Sequence, residues 1–216
     1  MQLVHRVVPP RVASPRPPLL VLLHGIGADE NDLLPLAPAF DPRLLVVSVR
    51  APHDEPPGYR WYEIDWSAVP PRADPAEIEA ARDLLAAWLE RLVADRGVDP
   101  ARVLLFGFSQ GAIMSTSLLL SRPGLVRGVV AHSGRLARIA GADATAAQLA
   151  HARALVLHGA DDPVVPAAQE RKAYEVLAGL LGDRAGWRAY EGIGHGISDA
   201  SLADAVAWVA ARLDEP

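Results

Sequence analysis

Val103-Leu104-Leu105-Phe106-Gly107-Phe108-Ser109-Gln110-Gly111-Ala112-Ile113-Met114 begins as an unbroken apolar run, passes through a serine flanked by glycines, and continues as a helical pattern. An unbroken apolar run suits a strand covered on both faces of a parallel sheet. Gly107-x-Ser109-x-Gly111 matches G-x-S-x-G in its required context, after a strand and before a helix. There a tight turn strains the serine backbone and lifts the hydroxyl clear of the sheet, at a helix N-terminus that favours a developing anion. The plainer alternative is a glycine-flanked serine that only caps a helix.

Outward from this stretch the same alternation repeats. Leu19–Leu23, Leu44–Val49, Val126–Ala131 and Ala154–Leu157 are further apolar runs expected as strands, with Leu3–Val8 as an extra edge strand and Trp187–Tyr190 as the last one. Between them lie helices. Asp74-Pro75 supplies an acidic N-cap and a proline at the first helical position, Ile78, Ala81, Leu85, Trp88, Leu89 and Leu92 follow at helical spacing, and Gly97 ends the run. Other helices are expected after Ser109, from about Pro166 to Leu181, and through Leu202, Val206, Val209 and Leu213. The expected class is α/β, with a mostly parallel central sheet and helices on both faces, in one domain spanning residues 1–216.

A serine hydroxyl is a weak nucleophile and needs a base. Of the seven histidines, His195 stands apart. It lies in Gly192-Ile193-Gly194-His195-Gly196, after the last strand and before the last helix, where small neighbours let an imidazole project. His24 and His158 each end a strand before a glycine, positions suited to orienting loops, and His132 and His151 lack a turn motif. A third group must orient the base and stabilise its charged form. Asp162, restrained by Pro163, is the expected acid, with Asp161 as the adjacent alternative. The chain order Ser, Asp, His is that of the α/β-hydrolase fold. Two backbone N–H groups must hold the oxyanion. Gln110, after the serine, is expected to give one, and Ile26, in the loop His24-Gly25-Ile26-Gly27, the other.

Together these motifs resemble the phospholipase/carboxylesterase family, which includes bacterial carboxylesterases and acyl-protein thioesterases. The run Leu23-His24-Gly25-Ile26-Gly27-Ala28-Asp29-Glu30-Asn31-Asp32-Leu33-Leu34-Pro35-Leu36-Ala37 carries the likeness. So do Arg50-Ala51-Pro52, Trp61-Tyr62-Glu63-Ile64, the serine motif, His158-Gly159-Ala160-Asp161-Asp162-Pro163-Val164-Val165-Pro166 and Gly194-His195, in the same order. The chain departs at Ala112, where the family often has glycine, and matches only loosely over Ser133–Leu136. The resemblance implies Asp162 as the acid and Ile26 and Gln110 as oxyanion donors. It implies a serine carboxylesterase working through an acyl-enzyme, with an acyl-protein thioesterase or lysophospholipase as alternatives on the same scaffold. A non-catalytic binding module would be expected to lose one of Ser109, Asp162 and His195.

Composition bounds the partners. The 216 residues are 50% hydrophobic and 22% charged with a net charge of −5, which argues against a nucleic-acid footprint. Lys172 is the single lysine, so the basic content is almost wholly arginine. The absence of cysteine removes disulfides, thiolate metal sites and a cysteine nucleophile. No HExxH motif or closely spaced histidine pair occurs, so neither metal nor cofactor is expected. Met1–Pro10 lacks the apolar core of a signal peptide, and Leu19–Leu23 is far too short to span a bilayer, so a cytoplasmic location is expected. The expected partner is a small-molecule ester or thioester, and a homodimer is compatible with the sequence.

One segment breaks the alternation. Arg50 to Asp74 carries Pro52, Pro56, Pro57, Pro70 and Pro71 with Trp61, Tyr62 and Trp66, and shows no regular period. A loop of that length in a compact domain is usually functional, and its aromatics argue against disorder. It is expected to hold its shape without secondary structure of its own and to wall an acyl pocket, with Trp61, Tyr62 and Trp66 as the large apolar groups available and Trp61 and Trp66 as the expected substrate contacts. The alternative is that these rings only pin the loop to the domain.

Overall fold

The apolar runs form a parallel sheet because their alternate residues have a core to enter on each side. In the computed structural model, which describes residues 2–68, 71–135 and 144–215, Leu19, Val21 and Leu23 enter one core and Leu20 and Leu22 the other. The strands are β1 (His5–Val8), β2 (Leu19–Leu23), β3 (Leu45–Val49), a hairpin of β4 (His53–Glu55) and β5 (Gly58–Arg60), β6 (Val103–Phe108), β7 (Gly128–His132), β8 (Arg153–Gly159) and β9 (Ala185–Tyr190). The helices are α1 (Pro75–Arg96), α2 (Gln110–Ser121), α3 (Ala167–Leu181) and α4 (Asp199–Leu213).

The central sheet runs β1-β3-β2-β6-β7-β8-β9. All its pairings are parallel except β1 on β3. Residues of α1, α2 and α3 pack into the first core, and α4 packs into the second with the 3-10 stretch Leu34–Ala39. The expected helices on both faces are therefore present. In α4, Ala205, Val209 and Leu213 recur every four residues and are buried, with Ser198 accepting from the Ser201 N–H as the cap. Burying a Val or Leu side chain is worth roughly 1.5–3 kcal/mol, so Val209, at the centre of that stripe, is the residue whose truncation would loosen the helix most.

Register puts the loops that matter at one edge. Leu23 pairs Gly107, Gly107 pairs Ala131, and Phe108 pairs His132, which pairs Leu157. The carboxyl ends of β2, β6, β7 and β8 thus open side by side, which is where ligands meet open α/β sheets.

The excursion after Arg50 is not free of secondary structure, contrary to expectation. Its first part is the β4–β5 hairpin, with His53 opposite Arg60 and Glu55 opposite Gly58 around the Pro56-Pro57 turn. Its strands, His-Asp-Glu and Gly-Tyr-Arg, are partly exposed and largely polar, so no alternation of apolar residues betrays them. The hairpin is held against the loop after β2, where the Gly27 N–H donates to Tyr59 O and the Tyr59 N–H donates to Ala28 O. Pro70, like Leu136 of the loosely matching stretch, lies outside the described residues.

Candidate active site

Ser109 sits between β6 and α2 with φ 54° and ψ −116°. Left-handed φ is rare for a residue with a side chain, and such strain persists only where the surroundings enforce it. Here they do. The Ser109 N–H donates to His132 O on the next strand (2.9 Å). A Cβ at Gly107 would collide with the Gly111 carbonyl, and one at Gly111 with the Leu23 carbonyl. The two glycines let α2 start directly over the sheet.

His195 and Asp162 meet this serine from their own loops. Asp162 Oδ2 lies 2.7 Å from His195 Nδ1, and His195 Nε2 lies 3.0 Å from Ser109 Oγ. A carboxylate only accepts, so Nδ1 carries the proton and Nε2 is left to accept from the serine hydroxyl. Asp162 Oδ1 accepts from the N–H groups of Val164 (2.8 Å) and Val165 (2.9 Å). Burial pushes this carboxyl up. The Val165 N–H, the His195 ring and the Val164 N–H outweigh that effect and hold it below its ordinary value. Asp161 does something else. Its Oδ2 accepts from the Gly192 N–H (3.0 Å) and its own N–H donates to Ile193 O, so it staples the histidine loop.

Ile26 and Gln110 both line the cavity beside Ser109. Gln110 opens α2, so its N–H has no acceptor one turn back, and among the described residues no turn or loop backbone bond takes the Ile26 N–H. The loop bearing Ile26 is fixed from behind. Buried Glu30 takes a two-pronged bond from Arg50 (2.6 and 2.9 Å), and Arg50 also donates to the Tyr59 hydroxyl (2.9 Å). The bond from Arg50 keeps Glu30 well ionised despite its burial. His24 Nε2 accepts from the Ala51 N–H (3.0 Å), which leaves Nδ1 to donate to Gly25 O (2.7 Å). Burial lowers the pKa of this ring, consistent with a neutral bracket between two loops.

The cavity has a volume of about 300 Å³. Ile64, Trp66, Phe108, Ile113, Val164 and Val165 supply most of its apolar wall, with Ser109 and His195 at its floor. Trp66 takes the expected place in that wall and is 56% exposed. Trp61 does not. It is fully buried beneath the wall, donating from Nε1 to His24 O (3.0 Å), and Tyr62 faces the cavity instead. Both rings are buried, but only that of Tyr62 borders the cavity. The side chain of Gln110 holds this segment down: Oε1 accepts from the Trp61 N–H (2.9 Å) and Nε2 donates to Tyr62 O (2.9 Å).

Three further polar residues gather behind the site, of which only His158 lies in a local motif. His158 lies fully buried, its Nδ1 in direct contact with Glu170 Oε2 and its Nε2 4.0 Å from Asp162 Oδ2. Glu170 Oε1 accepts from the Gly134 N–H (2.9 Å). Burial pushes the Glu170 carboxyl up to about 7, against the pull of His158. His132 is flanked by the hydroxyls of Ser133 (3.0 Å) and Ser201 (2.9 Å), joining β7 to the cap of α4 just past His195. Burial, helped by the neighbouring imidazoles, lowers its pKa to about 3. The contacts that tie this set to the rest of the site, Gly134 to Glu170 and His132 to Ser201, span 36 and 69 residues of chain.

Among the described residues no group of three or more His, Cys, Asp or Glu could hold a metal ion, and no helix is long and apolar enough to cross a membrane. A family model described as phospholipase/carboxylesterase matches residues 5–213. Esterase YpfH of Escherichia coli (strain K12) is 32% identical over 200 residues, covering 88% of this chain and 82% of that protein. The crystal structure of esterase PE8 aligns with a TM-score of 0.83 and 30% identity, covering 98% of this chain and 99% of the other. A carboxylesterase from Mesorhizobium loti aligns with a TM-score of 0.80 and 29% identity over 96% and 94% of the two chains. The chain belongs to the phospholipase/carboxylesterase family, as a hydrolase of the α/β-hydrolase fold.

Proposed function

We propose that this enzyme cleaves carboxylic esters by two-step acyl transfer, with Ser109 as nucleophile, His195 as general base and acid, and Asp162 as the group that orients His195. His195 Nε2 takes the proton as Ser109 Oγ attacks the carbonyl carbon. The carbonyl oxygen becomes an oxyanion facing the N–H groups of Ile26 and Gln110. As it collapses, the C–O bond to the alcohol breaks and His195 returns its proton to the leaving oxygen. Water then enters, gives a proton to His195 and attacks the acyl-enzyme. Collapse of the second oxyanion frees the acid and restores the Ser109 hydroxyl.

The observation that carries this reading is the unbroken relay from Asp162 through His195 to Ser109, with spacings of 2.7 and 3.0 Å, at the floor of an apolar cavity. The test is turnover of p-nitrophenyl butyrate together with labelling by a fluorophosphonate. Ser109→Ala should lose labelling and more than about a hundredfold in kcat, since removing one member of such a relay costs orders of magnitude. A folded Ser109→Ala protein that still turned over the ester within tenfold of the parent would refute a serine nucleophile.

A further inference from the structure

The cavity wall is mostly apolar, and among the described residues Arg135 is the one permanently charged side chain that lines it. Arg135 is half-buried and has no ion pair or hydrogen bond among the described residues. The Tyr62 hydroxyl also faces the cavity without a hydrogen-bond partner among them, although the residue is only 1% exposed. The two lie close enough for the guanidinium charge to act on the phenol, while burial pushes the phenol's pKa up, so it remains a donor. The neighbouring carboxylates are engaged elsewhere. Asp162 is held by His195 and the N–H groups of Val164 and Val165, and Glu170 by His158 and the Gly134 N–H. No Asp or Glu lines the cavity among the described residues.

Arg135 reaches this place by a second strained turn. Ser133 has φ 54°, like Ser109, and sits one residue past the end of the adjacent strand. Its N–H donates to Leu157 O (2.9 Å), and the next N–H, of Gly134, is taken by Glu170. Gly134 packs so close to the elbow that an added Cβ would stand 3.2 Å from Ser109 O and would crowd Ala112. The fold thus keeps a costly backbone conformation that delivers an unpaired cation beside the nucleophile. A half-buried guanidinium without a partner gains when an anion meets it, and its planar fork matches a carboxylate.

We propose that this cavity selects esters carrying a second, ionised carboxylate, such as the monoesters of short dicarboxylic acids, with Arg135 and the Tyr62 hydroxyl holding that carboxylate while Ser109 attacks the ester. The proposal rests on Ser109 being the nucleophile. A neutral chain of the same length would leave the cation unpaired, so discrimination has a repulsive as well as an attractive part.

The test compares monomethyl glutarate and monomethyl adipate with methyl pentanoate and methyl hexanoate, following methanol release by the whole enzyme at pH 7.5. The parent should favour each monoester over the neutral ester by tenfold or more in kcat/KM. That ratio should fall as NaCl is raised from 0.05 to 0.5 M, a readout that needs no variant. Arg135→Gln should lower kcat/KM for the monoesters at least tenfold more than for the neutral esters, Arg135→Lys should restore part of the ratio, and Tyr62→Phe should cost the monoesters a few-fold more than the neutral esters. A parent that prefers the neutral esters, or an Arg135→Gln enzyme that loses equally on both, overturns the proposal while neutral turnover and Ser109 labelling stand. If neutral turnover and Ser109 labelling are themselves absent, the serine-hydrolase reading falls as well.

Discussion

Replacing Asp162 and Asp161 in turn by asparagine separates a group that acts on His195 from one that only shapes its loop. In Asp162→Asn the amide oxygen can still accept from the Val164 and Val165 N–H groups that now bond Oδ1. The amide nitrogen then occupies the place of Oδ2, 2.7 Å from His195 Nδ1, and offers a proton to it. His195 must answer with a lone pair, which moves its own proton to Nε2, the atom that should accept from Ser109 Oγ at 3.0 Å. The imidazolium formed during reaction also loses its counter-charge. An inverted tautomer of this kind costs about 10³–10⁴-fold in kcat, or roughly 4–5.5 kcal/mol of barrier. In Asp161→Asn the amide oxygen can keep the bond from the Gly192 N–H, and no contact to His195 changes. That loss should stay under about fivefold, the scale of one weakened hydrogen bond at an exposed site. The assay is kcat/KM on p-nitrophenyl butyrate, with thermal unfolding of both variants to certify the fold. Asp162→Asn within tenfold of the parent, or Asp161→Asn as damaging as Asp162→Asn, would refute the assignment.

Trp66→Ala should lower kcat/KM for hexanoyl esters several-fold more than for acetyl esters, because each methylene it covers is worth up to about 0.8 kcal/mol. Trp61→Phe should instead cost roughly 1–3 kcal/mol of stability through the lost bond to His24 O and affect all chain lengths alike; a length-selective effect in a p-nitrophenyl ester panel would contradict this. Acidification should destabilise the fold through His132. Its folded value of about 3 lies below the ordinary 6.5, so the unfolded chain binds the proton first and stability drains away as pH falls below 6.5 toward 3. Between pH 7 and 4.5 this one ring should account for about 2–3 kcal/mol in urea unfolding. His132→Asn should show a pH difference smaller by that amount, and an unchanged difference would count against the assignment.

What could be read from the chain follows from how far each signal reaches. β2 and β6 were legible because five and six consecutive apolar residues need cover on both faces, and α1 because Asp74, Pro75 and Gly97 mark its ends chemically. Ser109, Asp162 and His195 were legible as candidates because each lies in a short turn motif after a strand, and the sheet register brings the three together. The β4–β5 hairpin was not, since its half-exposed strands bury no apolar face. Nor could composition say which tryptophan faces the cavity, because the side a ring occupies depends on one step of backbone phase. Of the set of His132, His158 and Glu170, only His158 was marked, as a strand-ending histidine before a glycine, and nothing pointed to its pairing with Glu170. Each looks like an ordinary residue until strands and helices distant in sequence converge on it.

Gln110 has a consequence for how such an enzyme can diverge. Ser109, Asp162 and His195 hang from tips of one sheet, whereas Tyr62, Ile64, Trp66 and Pro71 of the cavity wall come from the excursion after β3, so that part of the wall can mutate while the relay is inherited unchanged. Gln110 is the exception, because it stands next to Ser109 and its side chain carries the weight of the Trp61–Tyr62 segment through two bonds. A lineage that remodels this segment must preserve two main-chain groups facing that amide, or replace the glutamine in the same step. Substitutions at 61, 62 and 110 should therefore be epistatic, with each tolerated only in the company of particular others.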